Sequence, residues 1–266
     1  MSDLDRLLQS LWDDYAALNA QAHAIHQLLE ERGEVVVNDH IAFRTFQHDK
    51  VGIPVLAAHF IKNGYEAKGE YEFRAKKLFA RHYEHPDGKY PRVFISELKL
   101  GEFSAELQAA VTHLIDAIRA EDVVHPGFLH GGALWSPVSY ETYHKLKEES
   151  EYAAWMAVFG FRANHFTVLF NALKSFRDMV EFNQFIKDSG YPLNDSGGEI
   201  KGSPQEMLEQ SSTLAHQVEV EFADKKAVVP ACYYEFARRY PMPDGQLFSG
   251  FVAQSADKIF ESTDNK

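Results

Sequence analysis

The chain has 266 residues, of which 45% are apolar and 25% are charged, the ordinary composition of a globular protein. Its 39 Asp and Glu outnumber its 27 Lys and Arg, and this net charge of −12, without any basic stripe, argues against binding to nucleic acid. The single cysteine, Cys232, rules out an intrachain disulfide and a thiolate metal cluster and is compatible with a reducing compartment.

The N-terminal residues predict a helix and not a targeting sequence. They are acidic and lack the basic region and apolar run of a signal peptide, and no apolar stretch reaches the roughly 20 residues of a membrane span. We therefore expect a cytoplasmic protein with no membrane partner.

Apolar residues recur at helical spacing over residues 4–30, behind a capping residue, Ser2. His23 and His26 share one side of this helix, but no third ligand is near them, so we interpret them as surface residues.

The first half of the chain continues with one strand, one helix and a group of further strands. β-Branched and aromatic residues predict the strand at 34–46. The helix predicted at 53–63 ends at an Asn-Gly pair that suits a helix C-terminus. Further short strands are predicted at 65–79, 81–84 and 90–98.

A helical connector is predicted between the two halves of the chain. Apolar residues keep helical spacing over 104–120 and again over 139–158. The intervening residues 121–137 contain His-Pro-Gly and His-Gly-Gly, which are typical turn sequences. We therefore expect residues 104–158 to link two similar units.

The second half of the sequence repeats the first. Residues 38–43 match residues 163–168, and His40 and His165 each lie 20 residues before the Phe of a matching Phe-Ile-Lys segment. Each half therefore predicts a βαβββ module, whose apolar sheet face must pack against its twin. The predicted α+β protein is a single domain, residues 1–266, with modules at about 33–100 and 158–240, an N-terminal helix and the connector.

Pairing of the modules would bring His40 and His165 together, because they occupy matching positions on the two first strands. Two histidines and one carboxylate form a metal site with open positions, which suits non-haem Fe(II) and also fits Zn²⁺ or Mn²⁺. A carboxylate in an apolar strand is costly unless it meets a metal or a cation. Both Glu235 and Glu97 lie in such a strand, so each could be the third ligand or form an ion pair. The candidates for the third ligand are Glu97, Glu219, Glu221 and Glu235.

Two further residues are candidates for substrate binding. Arg44 follows His40 by four residues, which on a strand places both side chains on one face about 13 Å apart. Its guanidinium could hold the far carboxylate of a metal-chelating substrate, or form a structural ion pair. Gln210 lies in a polar run and could also bind a carboxylate, or belong to a linker after a helix start at Ser203. Arg238 and Arg239 could also hold a substrate carboxylate, but adjacent arginines at a strand end are typically solvated.

Several motifs together resemble one protein family. They are Asn-Asp-His-Ile-Ala-Phe-Arg at 38–44, Arg-Val-Phe-Ile-Ser-Glu-Leu at 92–98, Asn-His-Phe-Thr at 164–167, Lys-Gly-Ser-Pro at 201–204 with Gln-Ser-Ser at 210–212, and Tyr-Glu-Phe-Ala at 234–237. They resemble the iron-dependent 2-oxoadipate dioxygenase/decarboxylases, also called 2-hydroxyglutarate synthases, of bacterial and plant lysine catabolism. The resemblance spans about residues 4–250 and implies a fold of the vicinal oxygen chelate type, a curved mixed sheet around a metal site.

The resemblance also implies a role for each matched residue. The family's metal ligands match His40, His165 and Glu235. Its substrate-binding arginine matches Arg44, and its substrate-contacting glutamine matches Gln210, with Gln205 as the alternative because loop lengths differ. Glu97 belongs to a recurrent Ser-Glu-Leu segment, for which a supporting or structural role is implied.

The reaction implied by the resemblance is oxidative decarboxylation of a 2-oxo dicarboxylic acid with O₂. For 2-oxoadipate, the products would be 2-hydroxyglutarate and CO₂. The metal is expected to be Fe(II), although Zn, Ni or Mn could occupy the same ligands. Characterised members are expected to be much longer, so the short chain leaves both the true substrate and the oligomeric state open. The alternatives are a metal-dependent hydrolase, lyase or isomerase of the glyoxalase type, and a non-catalytic module that binds a small molecule.

Overall fold

The structure is a computed structural model that describes residues 2–263, apart from four side chains in the last helix. The strands are β1 (Asn38–Phe46), β2 (Glu66–Phe73), β3 (Leu78–Glu84), β4 (Arg92–Leu98), β5 (Ala163–Leu169), β6 (Lys201–Ser203), β7 (Leu208–Ser212), β8 (Gln217–Glu221), β9 (Lys226–Pro230) and β10 (Tyr233–Arg239). The α-helices are α1 (Asp3–Leu18), α2 (Ala20–Glu31), α3 (Ile53–Ile61), α4 (Ala105–Asp116), α5 (Ala120–Val124), α6 (Tyr140–Glu149), α7 (Glu151–Phe159), α8 (Met179–Asp188) and α9 (Ala253–Phe260). None of these helices is long and apolar enough to cross a membrane.

Eight of the strands form one mixed sheet, whose order is β2-β3-β4-β1-β5-β10-β7-β6, and β8 and β9 form a separate hairpin. The central strands β1 and β5 are antiparallel, whereas β4 runs parallel to β1 and β10 runs parallel to β5. A helix follows each first strand, α3 after β1 and α8 after β5. The predicted α+β fold of paired βαβββ modules in a curved mixed sheet is confirmed, and the module and domain boundaries stay a prediction.

Two helices that the sequence predicts as continuous are each divided in two. The predicted helix at 4–30 is interrupted at Asn19, a buried residue whose Nδ2 donates to the Tyr15 hydroxyl (3.0 Å). The predicted helix at 139–158 is interrupted at Ser150, whose hydroxyl accepts the N–H of the third residue of α7 and caps that helix. The cap at Ser150 is a polar signal that apolar spacing does not reveal. The Asn19 side chain makes no capping hydrogen bond to α2, so that break has a different origin.

Each half of the sheet contains the same tight turn before an inner strand. A 3₁₀ turn at Arg74–Lys76 precedes β3, and another at Pro204–Glu206 precedes β7. Each turn leads into a residue with left-handed backbone, Lys77 (φ 54°) and Met207 (φ 65°). The helix start predicted at Ser203 is therefore wrong, because its hydroxyl caps this single turn, and the polar run that follows is strand β7.

The two faces of the sheet have different environments. On the outer face, Phe166 of β5 packs against Tyr15 of α1 with 4.9 Å between ring centroids, and Phe236 of β10 packs against Phe182 of α8 at 4.7 Å. The inner face is crossed by residues 248–263, which we call the closing segment. Its helix α9 contacts β2 near one edge of the sheet and β6 and β7 near the other, so it bridges the open side of the curved sheet.

Candidate metal centre

Three strands in the middle of the inner face bring His40, His165 and Glu235 together. Side-chain alternation along β1, β5 and β10 points all three inward, and Thr167 of β5 pairs with His40 on one side and Glu235 on the other. The three side chains offer ligand atoms that all lie within 4.8 Å of one another, and each residue is at most 4% exposed. Between residues 2 and 263, this is the one group of His, Cys, Asp and Glu residues with the spacing of a metal site.

Each histidine is oriented by the residue that precedes it in the sequence. The Nδ1–H of His40 donates to the Asp39 carboxylate at 2.8 Å, and the Nδ1–H of His165 donates to the Asn164 side-chain oxygen at 3.0 Å. These hydrogen bonds fix both tautomers and both ring orientations, as the outer partners of metal-bound histidines do. The Nε2 atom of each ring is therefore the one that faces Glu235, at 3.6 Å for His40 and 3.2 Å for His165.

Arg239 holds Asp39 in place and also anchors the closing segment. Its Nε and Nη2 donate to the two carboxylate oxygens of Asp39 at 2.6 and 2.8 Å. Burial would raise the pKa of the Asp39 carboxyl, but Arg239 and His40 together outweigh burial and hold that pKa well below its usual range. The Nη1 of Arg239 donates to the backbone oxygens of Phe248 and Gly250, both at 2.8 Å. The prediction that Arg239 is solvated is wrong, since it is 1% exposed.

Glu235 is stabilised in its ionised form by its neighbours. Gln210 donates its Nε2–H to a Glu235 oxygen at 2.6 Å, whereas the Oε1 of Gln210 has no hydrogen-bond partner within the described part of the chain. Burial would raise the pKa of the Glu235 carboxyl, but His40, His165 and Gln210 outweigh it and the net shift is downward. Burial lowers the pKa of His165, which favours the neutral ring that can bind a metal.

This donor set fits a divalent transition metal. Two imidazole nitrogens and one carboxylate oxygen suit Fe(II), Zn²⁺ or Mn²⁺ and leave coordination positions for other ligands. The cavity beside the three residues measures about 20 Å³ and is lined further by Gln210, Phe94, Phe251 and Ile259. That volume is close to the space of one water molecule, so a larger ligand requires the closing segment to move.

Arg44 lies on the same strand as His40, with its guanidinium at the edge of the site. Its Nη1 is 3.2 Å from a carboxylate oxygen of Glu151, and its Nη2 donates to the Thr263 hydroxyl at 3.3 Å. Its Nε has no hydrogen-bond partner among the residues that the structure covers, although Arg44 is 1% exposed. Arg44 also lines a wider cavity of about 320 Å³ that carries Lys76, Lys77 and Lys147. This concentrates positive charge in an acidic protein.

Glu97 lies outside the metal centre and caps a helix. Its Oε2 accepts the N–H of Ile53, the first residue of α3, at 3.0 Å, and its Oε1 accepts from Gln47 at 3.1 Å. The preceding residue, Gly52, has no side chain to cap α3, so the carboxylate satisfies a free N–H and opposes the positive end of the helix dipole. Of the four glutamates that the sequence offers as third ligand, the structure brings Glu235 to the histidines, whereas Glu219 and Glu221 are exposed on β8.

Strand register identifies the residue that matches Glu235 in the first module. Arg92 pairs with His40 and Tyr233 pairs with His165, so the positions two residues further along, Phe94 and Glu235, are equivalent. Phe94 does line the cavity beside the histidines. Matching the two last strands by their glutamates hides this equivalence, whereas side-chain alternation from Arg92 indicates it.

Phe251 is a second lining residue that the sequence did not indicate. Its ring meets the His40 ring edge-on at 4.8 Å and lies 4.8 Å from the Phe94 ring. No periodic pattern or motif surrounds Phe251, and its place over the metal centre depends on the backbone hydrogen bonds from Arg239 to Phe248 and Gly250. A contact of this kind between distant parts of the chain carries no local sequence signal.

Comparison with known proteins gives consistent matches over almost the whole chain. A sequence model of the 2-oxoadipate dioxygenase/decarboxylase family matches residues 2–130 and 126–247. The 2-oxoadipate dioxygenase/decarboxylase, chloroplastic/amyloplastic, of Oryza sativa subsp. japonica is 36% identical over 276 residues, covering 94% of this chain and 76% of that protein. A family model over most of the chain, and a relative at this identity and coverage, establish family membership.

Two solved structures are also similar. The hydroxyglutarate synthase of Oryza sativa in complex with 2-oxoadipate superposes with a TM-score of 0.91 at 34% identity, covering 98% of this chain and 91% of that one. A Shewanella frigidimarina protein with a provisional hydrolase assignment gives 0.90 at 50% identity, covering 95% and 99%. The crystallised rice enzyme is close to this chain in length, whereas the hydroxyglutarate synthase of Pseudomonas putida is longer, since that match covers 90% of this chain and 62% of that one. The expectation that characterised members are much longer therefore holds for the Pseudomonas enzyme but not for the crystallised rice chain. The chain belongs to the 2-oxoadipate dioxygenase/decarboxylase family and is an enzyme.

Proposed function

We propose that the chain is an Fe(II)-dependent dioxygenase/decarboxylase that converts a 2-oxo dicarboxylic acid such as 2-oxoadipate, with O₂, into 2-hydroxyglutarate and CO₂. The observation that carries the proposal is the buried group of His40, His165 and Glu235, with Arg44 further along the strand of His40. The solved relative bound to 2-oxoadipate supports the choice of substrate. The reaction balances, since both oxygen atoms of O₂ enter 2-hydroxyglutarate, one in its new carboxylate and one in its hydroxyl, and the released CO₂ is the carboxylate next to the keto group of the substrate.

The three proposed ligands and their partners prepare the site for a metal. Bound Fe(II) would chelate the 2-oxo acid and activate O₂ at its open positions. Asp39 and Asn164 hold the two imidazole rings with Nε2 toward the ion, and Gln210 holds the Glu235 carboxylate. Because these partners are already in place, metal binding requires little reorganisation of the protein.

Arg44 is the residue that we assign to the far carboxylate of the substrate. Its unpartnered Nε and its position along β1 from His40 leave it a donor directed at a bound dianion. In the closed structure, Glu151 and Thr263 occupy the other nitrogens of its guanidinium. A substrate carboxylate would replace these weaker contacts, which are 3.2 to 3.3 Å long. The lysines of the neighbouring cavity would attract the same dianion.

The closing segment excludes water from the reaction. Phe251 and Ile259 cover the ligands, and the small cavity beneath them leaves no room for bulk solvent. A dry site strengthens the interaction of Arg44 with a carboxylate and protects reactive species from side reactions. Because the cavity is also too small for a dicarboxylic acid, the segment must open for the substrate to enter and close again before reaction.

Oxygen uptake tests the proposed reaction. Protein loaded anaerobically with Fe(II) is mixed with 2-oxoadipate in an oxygen electrode, and CO₂ and 2-hydroxyglutarate are quantified. We expect one O₂ consumed for each CO₂ released, and no turnover when Zn²⁺ replaces Fe(II). Turnover of 2-oxoadipate with Zn²⁺ or Ni²⁺ in the absence of O₂ would contradict the proposal and favour a metal-dependent hydrolase or lyase. The Shewanella protein carries a provisional hydrolase assignment, which is the reason for including this comparison.

Substitution of Arg44 tests the assignment of the far carboxylate. The Arg44→Met variant should raise the KM for 2-oxoadipate by about 100-fold, because a charge-assisted bidentate contact is lost. A 2-oxo monocarboxylic acid such as 2-oxohexanoate should be affected little. Arg238→Met is the matched control, since Arg238 packs over the Phe170 ring away from the ligands. Equal losses for both substrates would contradict the role assigned to Arg44.

We also propose a cytoplasmic location, because the single cysteine, Cys232, is a free thiol compatible with a reducing compartment. The name of the rice relative places that protein in plastids, and its compartment is not transferred to this chain. Cell fractionation with an antibody to the chain tests the assignment. Enrichment in an organelle or membrane fraction, relative to a cytoplasmic marker, would contradict it.

A further inference from the structure

Two neighbouring tyrosines in β10 have the same unusual property. Tyr233 and Tyr234 are each 0% exposed, and the hydroxyl of each has no hydrogen-bond partner within the described residues. Buried hydroxyls are almost always hydrogen-bonded, because leaving one unpaired forfeits its interaction with water. The two side chains point in opposite directions, so a molecule bound at the metal centre could provide a partner for one hydroxyl and not for the other.

The two side chains point to opposite faces of the sheet. Tyr234 faces the helices, where its ring lies 6.1 Å from that of Trp12 and 5.4 Å from that of Phe236. Tyr233 alternates with it and shares the inner face with Glu235. Its ring stacks on the His165 ring, with 4.6 Å between centroids and 24° between planes. One unpaired hydroxyl is therefore on the side of the metal centre and the other is in the outer core.

The strand register places Tyr233 between the metal ligands and Arg44. Glu235 lies level with His40 across β5, whereas Tyr233 lies level with His165 and Ala42. Arg44 follows Ala42 by two residues on β1, in the same direction along the inner face. A molecule that reaches from the metal to Arg44 must therefore pass the level of Tyr233.

We propose that the hydroxyl of Tyr233 donates a hydrogen bond to the far carboxylate of the bound 2-oxo dicarboxylic acid, beside Arg44. The inference rests on the proposed function, since it assigns Tyr233 to that substrate. A phenol O–H is a good donor to a carboxylate, and Arg44 supplies the charge that the phenol lacks. With the substrate bound, the hydroxyl of Tyr233 and the Nε of Arg44 both gain a partner.

This assignment makes Tyr233 a determinant of specificity. A 2-oxo acid that ends in a methyl group would leave the Tyr233 hydroxyl and the Arg44 guanidinium buried without their acceptor. Sites built to hydrogen-bond a polar group reject the analogue that lacks it more strongly than apolar pockets reject an extra group. The enzyme should therefore prefer dicarboxylic over monocarboxylic 2-oxo acids, and Tyr233 should contribute to that preference together with Arg44.

The Tyr233→Phe variant tests the proposal, and Tyr234→Phe is its matched control. Each removes one buried hydroxyl without a protein partner from the same strand, so both variants should fold, retain Fe(II) and melt at or above the wild-type temperature. Tyr233→Phe should raise the KM for 2-oxoadipate by about 10- to 100-fold. It should leave the KM for 2-oxohexanoate within about twofold. Tyr234→Phe should leave both values at the wild-type level.

Several outcomes would overturn the proposal. A KM for 2-oxoadipate within twofold of wild type in Tyr233→Phe refutes it, and equal losses for both substrates would mean that Tyr233 acts through its stacking on His165. A wild-type complex with 2-oxoadipate, crystallised without O₂, provides a second test that needs no variant. We expect a separation of about 2.5–3.0 Å between the phenol oxygen and the far carboxylate, and a separation beyond 4 Å refutes the proposal.

Failure of the proposed function would be recognised separately. Wild-type protein that neither binds nor converts 2-oxoadipate overturns the proposed function, and this inference with it. Wild-type protein that converts 2-oxoadipate while Tyr233→Phe behaves like Tyr234→Phe overturns this inference alone.

Discussion

Glu97 and Glu235 are buried glutamates on the last strands of the two modules, and their substitution by glutamine should have opposite consequences. The carboxylate of Glu97 caps α3 through the N–H of Ile53, whereas that of Glu235 faces the two histidines. Glu97→Gln should therefore lower the stability of the protein and leave metal binding intact. Glu235→Gln should abolish metal binding, because a neutral amide is a poor ligand for Fe(II) or Zn²⁺.

The size of the Glu97 effect follows from its contacts. Glutamine keeps one oxygen for the N–H of Ile53 but loses the charge, which reduces a charge-assisted hydrogen bond to an ordinary one and removes the interaction with the dipole of α3. Together these changes should cost about 1–2 kcal/mol of the free energy of unfolding. For a chain of this length, that loss corresponds to a decrease in Tm of about 2–8 °C.

Thermal unfolding of the metal-free protein and the metal content of the purified protein measure the two effects. We expect Glu97→Gln to retain the wild-type ratio of metal to protein and Glu235→Gln to retain less than about a tenth of it. The reasoning fails if Glu97→Gln loses metal to the same extent as Glu235→Gln. It also fails if Glu97→Gln melts at the wild-type temperature, because the cap would then contribute nothing.

Four further substitutions test other parts of the structure. Asp39→Asn should weaken metal affinity about 10- to 100-fold, measured by competition with a chelator, because the carboxylate that orients the first metal-binding histidine is lost. Gly202→Ala should destabilise the protein by more than about 3 kcal/mol, since its φ is +81° and a Cβ would overlap the carbonyl oxygen of Leu208. Gly190→Ala has a φ of +90° but no neighbouring atoms, so in the same unfolding assay it should show only the smaller cost of backbone strain. Glu34 accepts the hydroxyl of Ser175 and two backbone N–H groups, which together outweigh burial and lower its pKa, so its contribution is present above its usual pKa of 4.5 and is lost as the pH falls through the lowered value. The difference in unfolding free energy between wild type and Glu34→Gln should therefore be largest near neutral pH and disappear in acid; a constant difference would contradict the assignment.

The sequence predicts the three residues of the candidate metal site and the fold class better than it predicts the residues that surround the site. His40 and His165 could be paired because a repeated strand carries each of them at the same position, and residues at equivalent places in twin modules meet. The cost of a carboxylate among apolar residues indicated both Glu97 and Glu235, and the resemblance of the Glu-Phe-Ala segment to the family then selected Glu235. The fold class followed from the same repeat, since two half-sheets with one apolar face each must pack together.

Other features depend on contacts between distant residues and could not be predicted in this way. Arg239 is buried because Asp39, 200 residues earlier, and the backbone of the closing segment occupy its donors, whereas its local sequence suggests a solvated strand end. Phe251 covers the site through ring contacts with His40 and Phe94, which lie far earlier in the chain. The helix break at Ser150 arises from a polar cap that apolar periodicity does not register, whereas the Asn19 side chain does not cap α2 and donates to the Tyr15 hydroxyl instead.

The two modules carry different residues at the inward position held by Glu235 in one and Phe94 in the other, and this difference determines which side of a bound ion stays accessible. A fully symmetric pair would have a second carboxylate in place of Phe94, and four protein donors would enclose the ion as they do in structural sites. A phenyl ring offers neither charge nor a lone pair, so an ion held by the two histidines and Glu235 would receive no ligand from Phe94. One departure from symmetry in a repeated fold thus distinguishes a site that leaves room for a substrate from a structural site closed by four protein donors.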